Sequence, residues 1–341
     1  MQNMHKILAM MMAILLFSGC YAQNAALLNT PNGFTIAFYN VENLFDTIRD
    51  PSINDLEFLP DSKVPWTSER YTVKLDNISR VIAAMDTLDF PHLIGLSEVE
   101  NMAVLSDLAA NKTLKDANYS IVHIEGNDPR GIEVALMYRH NYFRVLHSEA
   151  VQVESPDDRP IRHILYIKGI KAPNDTLHVF VNHWTSRFGG SEQTIPARIA
   201  SAKKLRSVVD SLLLVQPMAN IIIGGDFNDN PDDASLFSHL RAYAPDDAIR
   251  PANLYNLAME PWLLGQGTLY YRSWDFFDQI IVSSALLDGS RLTAGPIQVI
   301  KRPWMLYTPP QGGEARPNRT ASGSRYFGGY SDHLPVMVRL H

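Results

Sequence analysis

The chain has 341 residues, 46% of them hydrophobic and 19% charged, with one cysteine and 30 Lys+Arg against 36 Asp+Glu, a formal charge of -6. That apolar content excludes a disordered chain, and 19 Gly and 21 Pro in no regular order exclude a collagen-like one. A lone cysteine excludes an intramolecular disulfide and a four-thiolate zinc site, while the acidic balance argues against bulk electrostatic capture of nucleic acid and leaves room for a local basic rim.

Lys6 precedes an uninterrupted apolar run of eleven residues from Ile7 to Phe17, followed by Ser18, Gly19 and Cys20. A bilayer-spanning helix needs about 20 apolar residues and the apolar part of a secretory leader about 7 to 15, so residues 1–22 read as a leader. Residues 16–20 resemble the lipobox of bacterial lipoproteins, which implies a lipid on Cys20 and attachment to a membrane; cleavage after Ala22 is the alternative. Either route exports the protein, as an outer-membrane or periplasmic lipoprotein or as a secreted one.

From Phe34 onward, short apolar runs alternate with amphipathic patterns, which predicts an α/β fold. Strands are expected over 34–40, 93–97, 132–138, 161–169, 177–182, 220–225, 277–283 and 335–340. Helices are expected over 71–85, where Tyr71, Leu75, Ile78, Ile82 and Met85 keep helical spacing, and over 195–213, with Thr194 and Pro196 at its start. Segments 47–68 and 287–330 read as loop insertions. No linker or repeat divides the chain, so 30–341 is expected to be one domain.

Polar groups recur beside these strands. The runs end on Asn40, on Glu98, on Asn182 and His183, and on Asp226 and Asn228; Asp278 opens a strand, and Asp332 and His333 precede the last one. Taken singly, each is more often a helix cap or turn residue than a ligand. As a set, carboxylate and amide oxygens without thiolates suit a hard cation such as Mg2+ or Mn2+, and the histidines add acid–base groups. That combination suits hydrolysis of a phosphate ester. The motifs of zinc proteases, serine hydrolases, Walker ATPases and dinucleotide-binding folds are absent.

Five stretches in order, Tyr39-Asn40-Val41, Leu96-Ser97-Glu98-Val99, Gly225-Asp226-Phe227-Asn228, Phe277-Asp278-Gln279-Ile280 and Ser331-Asp332-His333-Leu334-Pro335, resemble the endonuclease/exonuclease/phosphatase superfamily. The resemblance spans nearly all of the chain after the leader. It implies a DNase I-like, four-layer α-β-β-α sandwich of two packed mixed sheets. It also implies a Mg2+- or Mn2+-dependent phosphoric ester hydrolase with Asn40, Glu98 and Asp332 around the metal. His333 then contacts the scissile phosphate or activates the water, oriented by Asp278. Asp226 orients the nucleophilic water, Asn228 donates to phosphate oxygens, and the pair Asn182 and His183 lies near the leaving group, with His183 as a general acid.

Arg130 reads either as a phosphate contact or as a surface ion pair, and Trp184 and Arg187 as a stack or clamp on substrate or as packing. Lys301, Arg302, Arg316, Arg319 and Arg325 face one carboxylate, Glu314, in the stretch 301–325, which reads either as a basic rim for a polyanion or as a solvated loop. The expected partner is a phosphate-ester substrate, foremost DNA or RNA; no protein partner is implied. Phosphatase or sphingomyelinase-like activity, and an inactive binding scaffold, stand as alternatives.

Overall fold

The computed structural model describes residues 27–157, 159–245 and 249–341; the expected leader, Cys20 included, lies outside them. In the first strand, β1 (Phe34–Leu44), Phe34, Ile36 and Phe38 enter one core while Ala37, Tyr39 and Val41 enter another. A strand buried on both faces has no polar face to show, so it reads as a continuous apolar run.

The chain continues through α1 (Ser68–Ala83), β2 (Leu93–Val99), α2 (Met102–Ala110), β3 (Tyr119–His123), β4 (Glu133–Arg139), β5 (Phe143–Val151), β6 (Ile164–Lys171) and β7 (Asp175–His183). It proceeds through α3 (Ser191–Val215), β8 (Asn220–Asp226), β9 (Ala242–Tyr243), β10 (Leu254–Asn256), α4 (Met259–Leu263), β11 (Leu269–Tyr271), β12 (Ser273–Asp275) and β13 (Asp278–Ser283). Short strands follow, β14 (Gln298–Val299), β15 (Leu306–Tyr307), β16 (Arg316–Pro317), β17 (Ala321–Ser322) and β18 (Arg325–Tyr326), before β19 (Val336–Leu340).

One mixed sheet has the order β14-β19-β1-β2-β4-β3 and the other β5-β6-β7-β8-β13-β10-β9. Their inner faces share a core in which Phe38 and Leu93 meet Leu165, Val179 and Ile222. Outside the first sheet, α1 and α2 bring Ile78, Val81 and Leu105; outside the second, α3 brings Ala202, Leu205 and Val209. This is the expected four-layer sandwich. Phe38 fills the space between the sheets so closely that a Cβ on Gly224 of the opposite sheet would lie 2.3 Å from its ring.

Topology puts the polar residues on one edge. β1 runs parallel to β2 and β7 parallel to β8, so Asn40, Glu98, His183 and Asp226 all sit at carboxyl ends. β13 and β19 run antiparallel to their neighbours β8 and β1, so the same edge receives what precedes them, Asp278 and His333.

Three differences from the sequence reading have physical causes. Helix α3 begins at Ser191 after Gly190, so Pro196 lies inside it, with the Thr194 hydroxyl donating to the Gly190 and Ser191 carbonyls in the first turn. Strands β3 and β5 and helix α2 were not expected: β3 and β5 are edge strands with partly wet faces, and α2 is short, though capped by Asn101. The segment 287–330 is ordered into hairpins and tied to α1, where the ammonium of buried Lys74 donates to Thr320 Oγ1 and to the Tyr330 carbonyl.

Candidate active site

Two bulges lie side by side at the ends of β1 and β2, between Asn40 and Leu44 and between Ser97 and Val99. Glu42, Asn43 and Glu98 all take left-handed backbone conformations there, with φ of 51°, 58° and 65°. Such geometry is uncommon for non-glycine residues and persists where surrounding contacts hold it. Here the contacts are specific. The Asn43 N–H donates to Glu98 Oε2 at 3.0 Å, and the bulge turns the Glu98 carboxylate into the cleft.

Asn40 Nδ2 donates to Glu98 Oε1 at 3.1 Å and to Asp226 Oδ2 at 3.0 Å, while Asn40 Oδ1 accepts from the Glu42 N–H at 2.9 Å. One buried amide therefore spans the two sheets and holds a carboxylate from each. His183 Nε2 completes the group, 3.8 Å from Glu98 Oε1 and 3.7 Å from Asp226 Oδ2, with one ligand atom of each of the three residues within 4.8 Å of the others. The donor set fits one divalent cation: two carboxylate oxygens suit a hard ion, and the imidazole nitrogen extends the range toward borderline metals.

Burial, reinforced by the charges of Arg162, Arg130 and His333, holds the His183 pKa well below its ordinary 6.5. The ring is therefore neutral, with Nδ1 unpartnered and buried. A neutral imidazole suits a ligand or hydrogen-bonding role; it does not suit the general-acid role expected from the sequence. Asp226 is pushed up to about 6, chiefly by burial and by Asp278, against the opposing pull of His333 and of its hydrogen bonds from the Asn228 N–H and Asn40.

The second unit is a dyad. Asp278 Oδ2 accepts from His333 Nδ1 at 2.7 Å, and His333 Nε2 points to Asp226 Oδ2 at 3.9 Å and Asp332 Oδ1 at 4.0 Å. Burial alone would lower the His333 pKa, but the carboxylates of Asp278 and Asp226 outweigh it and hold the ring protonated well above 6.5. The Ser331 hydroxyl fixes the approach, donating to the Asn40 carbonyl at 2.8 Å and accepting from the His333 N–H at 3.0 Å.

Other expected residues occupy different places. Asn40, expected as a ligand, clamps two carboxylates through its amide nitrogen, while its oxygen accepts from the Glu42 N–H. Asp332 does not join the Glu98 group; its carboxylate pairs with Arg319 at 2.8 Å. Asn182 cannot reach a substrate: it is fully buried, and its amide is engaged by the Phe180 and Gly224 carbonyls and the Trp184 indole. Trp184 is equally buried and serves as packing. Arg187 spends its guanidinium on Asp229, Asp233 and the Asn228 carbonyl, which fixes the loop after β8 and leaves no free fork for a phosphate. Asn228 stays at the site, with φ of 51° and one amide hydrogen given to the Trp184 carbonyl. Arg130 is exposed at the rim beside Asp128.

One contributor, Arg162, carried no assignment from sequence, and another, Arg319, was expected on a basic rim and instead sits among carboxylates. Arg162 donates to the His183 and Trp184 carbonyls at 3.0 and 2.9 Å and pairs with Asp128, and nothing in its local sequence distinguishes it. Arg319 bridges Asp332 and the buried Glu42, whose acid is raised to about 7 by burial and by Asp332. A signal for this region did exist: Lys74 stands on the apolar stripe of α1, where a cation needs a buried partner.

A family model described as the endonuclease/exonuclease/phosphatase family matches residues 35–341. Among solved structures, the chain is similar to a protein of that family from Bacteroides thetaiotaomicron, with TM-score 0.55, 18% identity and coverage of 91% of this chain and 98% of that one. It is similar to a mannosyl-6-phosphatase of the same organism, with TM-score 0.54, 18% identity and coverage of 90% and 99%. A humanized D. rerio TDP2 gives TM-score 0.53 at 17% identity, with coverage of 90% and 98%. No curated protein matches the chain.

Proposed function

The chain belongs to the endonuclease/exonuclease/phosphatase family, and from that premise we propose that it is an exported, Mg2+- or Mn2+-dependent phosphodiesterase acting on nucleic acid. The observation that carries the reading is the joining of Glu98, His183 and Asp226 around one point beside the Asp278–His333 dyad.

When bound, the cation would neutralise phosphoryl charge and lower the pKa of a coordinated water. Glu98 and Asp226 would hold it, His183 would face it as a neutral donor, and Asn40 would keep the two carboxylates apart. His333, protonated and oriented by Asp278, hydrogen-bonds a phosphoryl oxygen as charge accumulates there. Asp226 is also placed to orient the attacking water and take its proton, and Asn228 offers its remaining amide hydrogen to the phosphate. The P–O bond to the leaving group then breaks opposite the entering water, and the departing oxygen takes a proton from solvent.

The experiment is hydrolysis by the purified protein of bis-p-nitrophenyl phosphate, DNA and RNA oligonucleotides, mannose 6-phosphate and sphingomyelin, each with Mg2+, Mn2+ or EDTA. Metal-dependent cleavage of the diester and an oligonucleotide is the expected result; cleavage of the monoester alone moves the assignment to a phosphatase. Export and lipidation at Cys20 belong to the same proposal and are checked by incorporation of a palmitate analogue, lost in Cys20→Ser.

A further inference from the structure

Beside Asp332 a cavity of about 660 Å3 opens between the hairpin β11–β12 and the segments carrying β15 to β18. It borders the active site: Asp332, whose Oδ1 lies 4.0 Å from His333 Nε2, and Arg319 are part of its lining, and Leu269, at the start of its first hairpin, pairs by a backbone bridge with His333. Its outer walls carry Arg272, Arg316 and Arg325, each with its guanidinium near a ring of the same wall, Tyr271 at 5.4 Å, Tyr307 at 5.6 Å and Phe327 at 5.1 Å.

Among the described residues, none of these three arginines pairs with a carboxylate, although the protein is acidic overall. Tyr271, Tyr307 and Phe327 are 69%, 43% and 46% exposed as whole residues. Exposed aromatic faces grouped with uncompensated cations around one recess form a binding surface; scattered solvated side chains would show no such grouping.

We infer that this cavity is a subsite for the single-stranded nucleic acid next to the scissile phosphate. Bases stack on Tyr271, Tyr307 and Phe327, and backbone phosphates meet Arg272, Arg316 and Arg325. The inference rests on the phosphodiesterase reading above. A duplex is disfavoured because its base faces already stack on one another, whereas unpaired bases offer theirs to aromatic side chains.

The test measures fluorescence anisotropy of a labelled dT8 oligonucleotide with the full chain in EDTA, so that binding is read without turnover. The triple variant Arg272→Ala/Arg316→Ala/Arg325→Ala should weaken binding at least tenfold. It should also flatten the log–log salt slope by about 2, since each neutralised single-strand phosphate contributes about 0.7. Tyr271→Ala/Tyr307→Ala should weaken binding at least about thirtyfold with the slope retained. Unchanged affinity and slope in the triple variant, or tighter binding of duplex than of dT8, overturns the inference. So does loss of mannose 6-phosphate or sphingomyelin-vesicle binding in the triple variant with dT8 binding intact. Failure of the wild-type protein to hydrolyse bis-p-nitrophenyl phosphate sinks the catalytic reading and leaves this binding result standing.

Discussion

On the floor of the cleft, Asn40, Glu98, His183, Asp226, Asp278 and His333 stand at the ends of the central strands, all buried except the half-buried Glu98; hydrogen bonds tie Asn40 to Glu98 and Asp226 and Asp278 to His333, and His183 Nε2 lies 3.7 Å from Asp226. On its wall, Arg272, Arg316 and Arg325 stand in short hairpins and turns, with ring contacts in place of ion pairs. The floor has its polar partners already in place, so its geometry is fixed before a substrate arrives and small displacements are costly. The wall keeps its charges open, and its contribution appears when an anion comes. The two regions should therefore answer mutation differently, the floor in turnover of every substrate and the wall in discrimination among them.

The largest effect is expected at the joint of the floor. Glu98→Ala should lower kcat/KM for bis-p-nitrophenyl phosphate by on the order of 10^3 or more, with the circular dichroism spectrum unchanged, because it removes the carboxylate that Asn40 and the bulge both orient. Calorimetry should show weakened Mn2+ uptake in the same variant. Retained turnover would detach Glu98 from the metal. His333→Ala should cost on the order of 10^2 in kcat. Asp278→Asn should cost less, since the ring stays while its charge partner is lost. A loss below about tenfold in His333→Ala would make the dyad a packing feature.

The floor is the part of the molecule that could be read from sequence. β1, β2, β7, β8 and β13 are buried on both faces, so their apolar runs stand out, and the residue that ends or opens each run falls on one edge for topological reasons. What the sequence could not show is the orientation of a side chain within that edge. Asn182 and His183 are neighbours at the end of β7, yet one turns into the core and the other into the cleft. The wall was legible only in part, as a charge excess over 301–325 that holds Arg316 and Arg325 but not Arg272, because its fold depends on contacts such as Lys74 with Thr320, far apart in the chain. Five cations stood out in that stretch. Contacts separate them: Lys301 lies over Trp274 and Arg302 donates to the Ala84 carbonyl, while Arg319 turns inward.

Arg319 joins floor to wall and should show an intermediate effect. Its guanidinium touches Glu42 and Asp332 and lines the cavity beside them. Arg319→Ala removes the cation that two neighbouring carboxylates share, and kcat/KM should fall about tenfold, the scale seen when groups that support a metal site are lost. Arg319→Lys should recover part of the loss. A loss confined to oligonucleotides would assign Arg319 to the wall alone, whereas an equal loss on the small diester assigns it to the floor.

The smallest effect tests whether a buried carboxylate is by itself a mark of the floor. Glu133 opens β4, opposite Val99, and its acid is raised from 4.5 to about 8 by burial and by Asp128 and Glu125, with Arg162 opposing. Its neighbour His163, 4.0 Å away, is lowered to about 4 by burial and by His123. The two groups act on stability with opposite signs. A carboxyl raised on folding contributes stability below its unfolded value and loses it as pH rises through the folded one; a histidine lowered on folding gains stability as pH rises toward 6.5. They offset one another up to about pH 6.5, and above it only Glu133 of this pair still titrates, up to about 8. Glu42 and Glu100, each raised to about 7, add to the slope of the whole protein, so the informative quantity is a difference. Glu133→Gln should gain on wild type by about 1 kcal/mol per pH unit between 6.5 and 8 in urea unfolding, with bis-p-nitrophenyl phosphate turnover unchanged. A gain independent of pH would mean that Glu133 is ionised throughout, and a loss of turnover would extend the floor to β4.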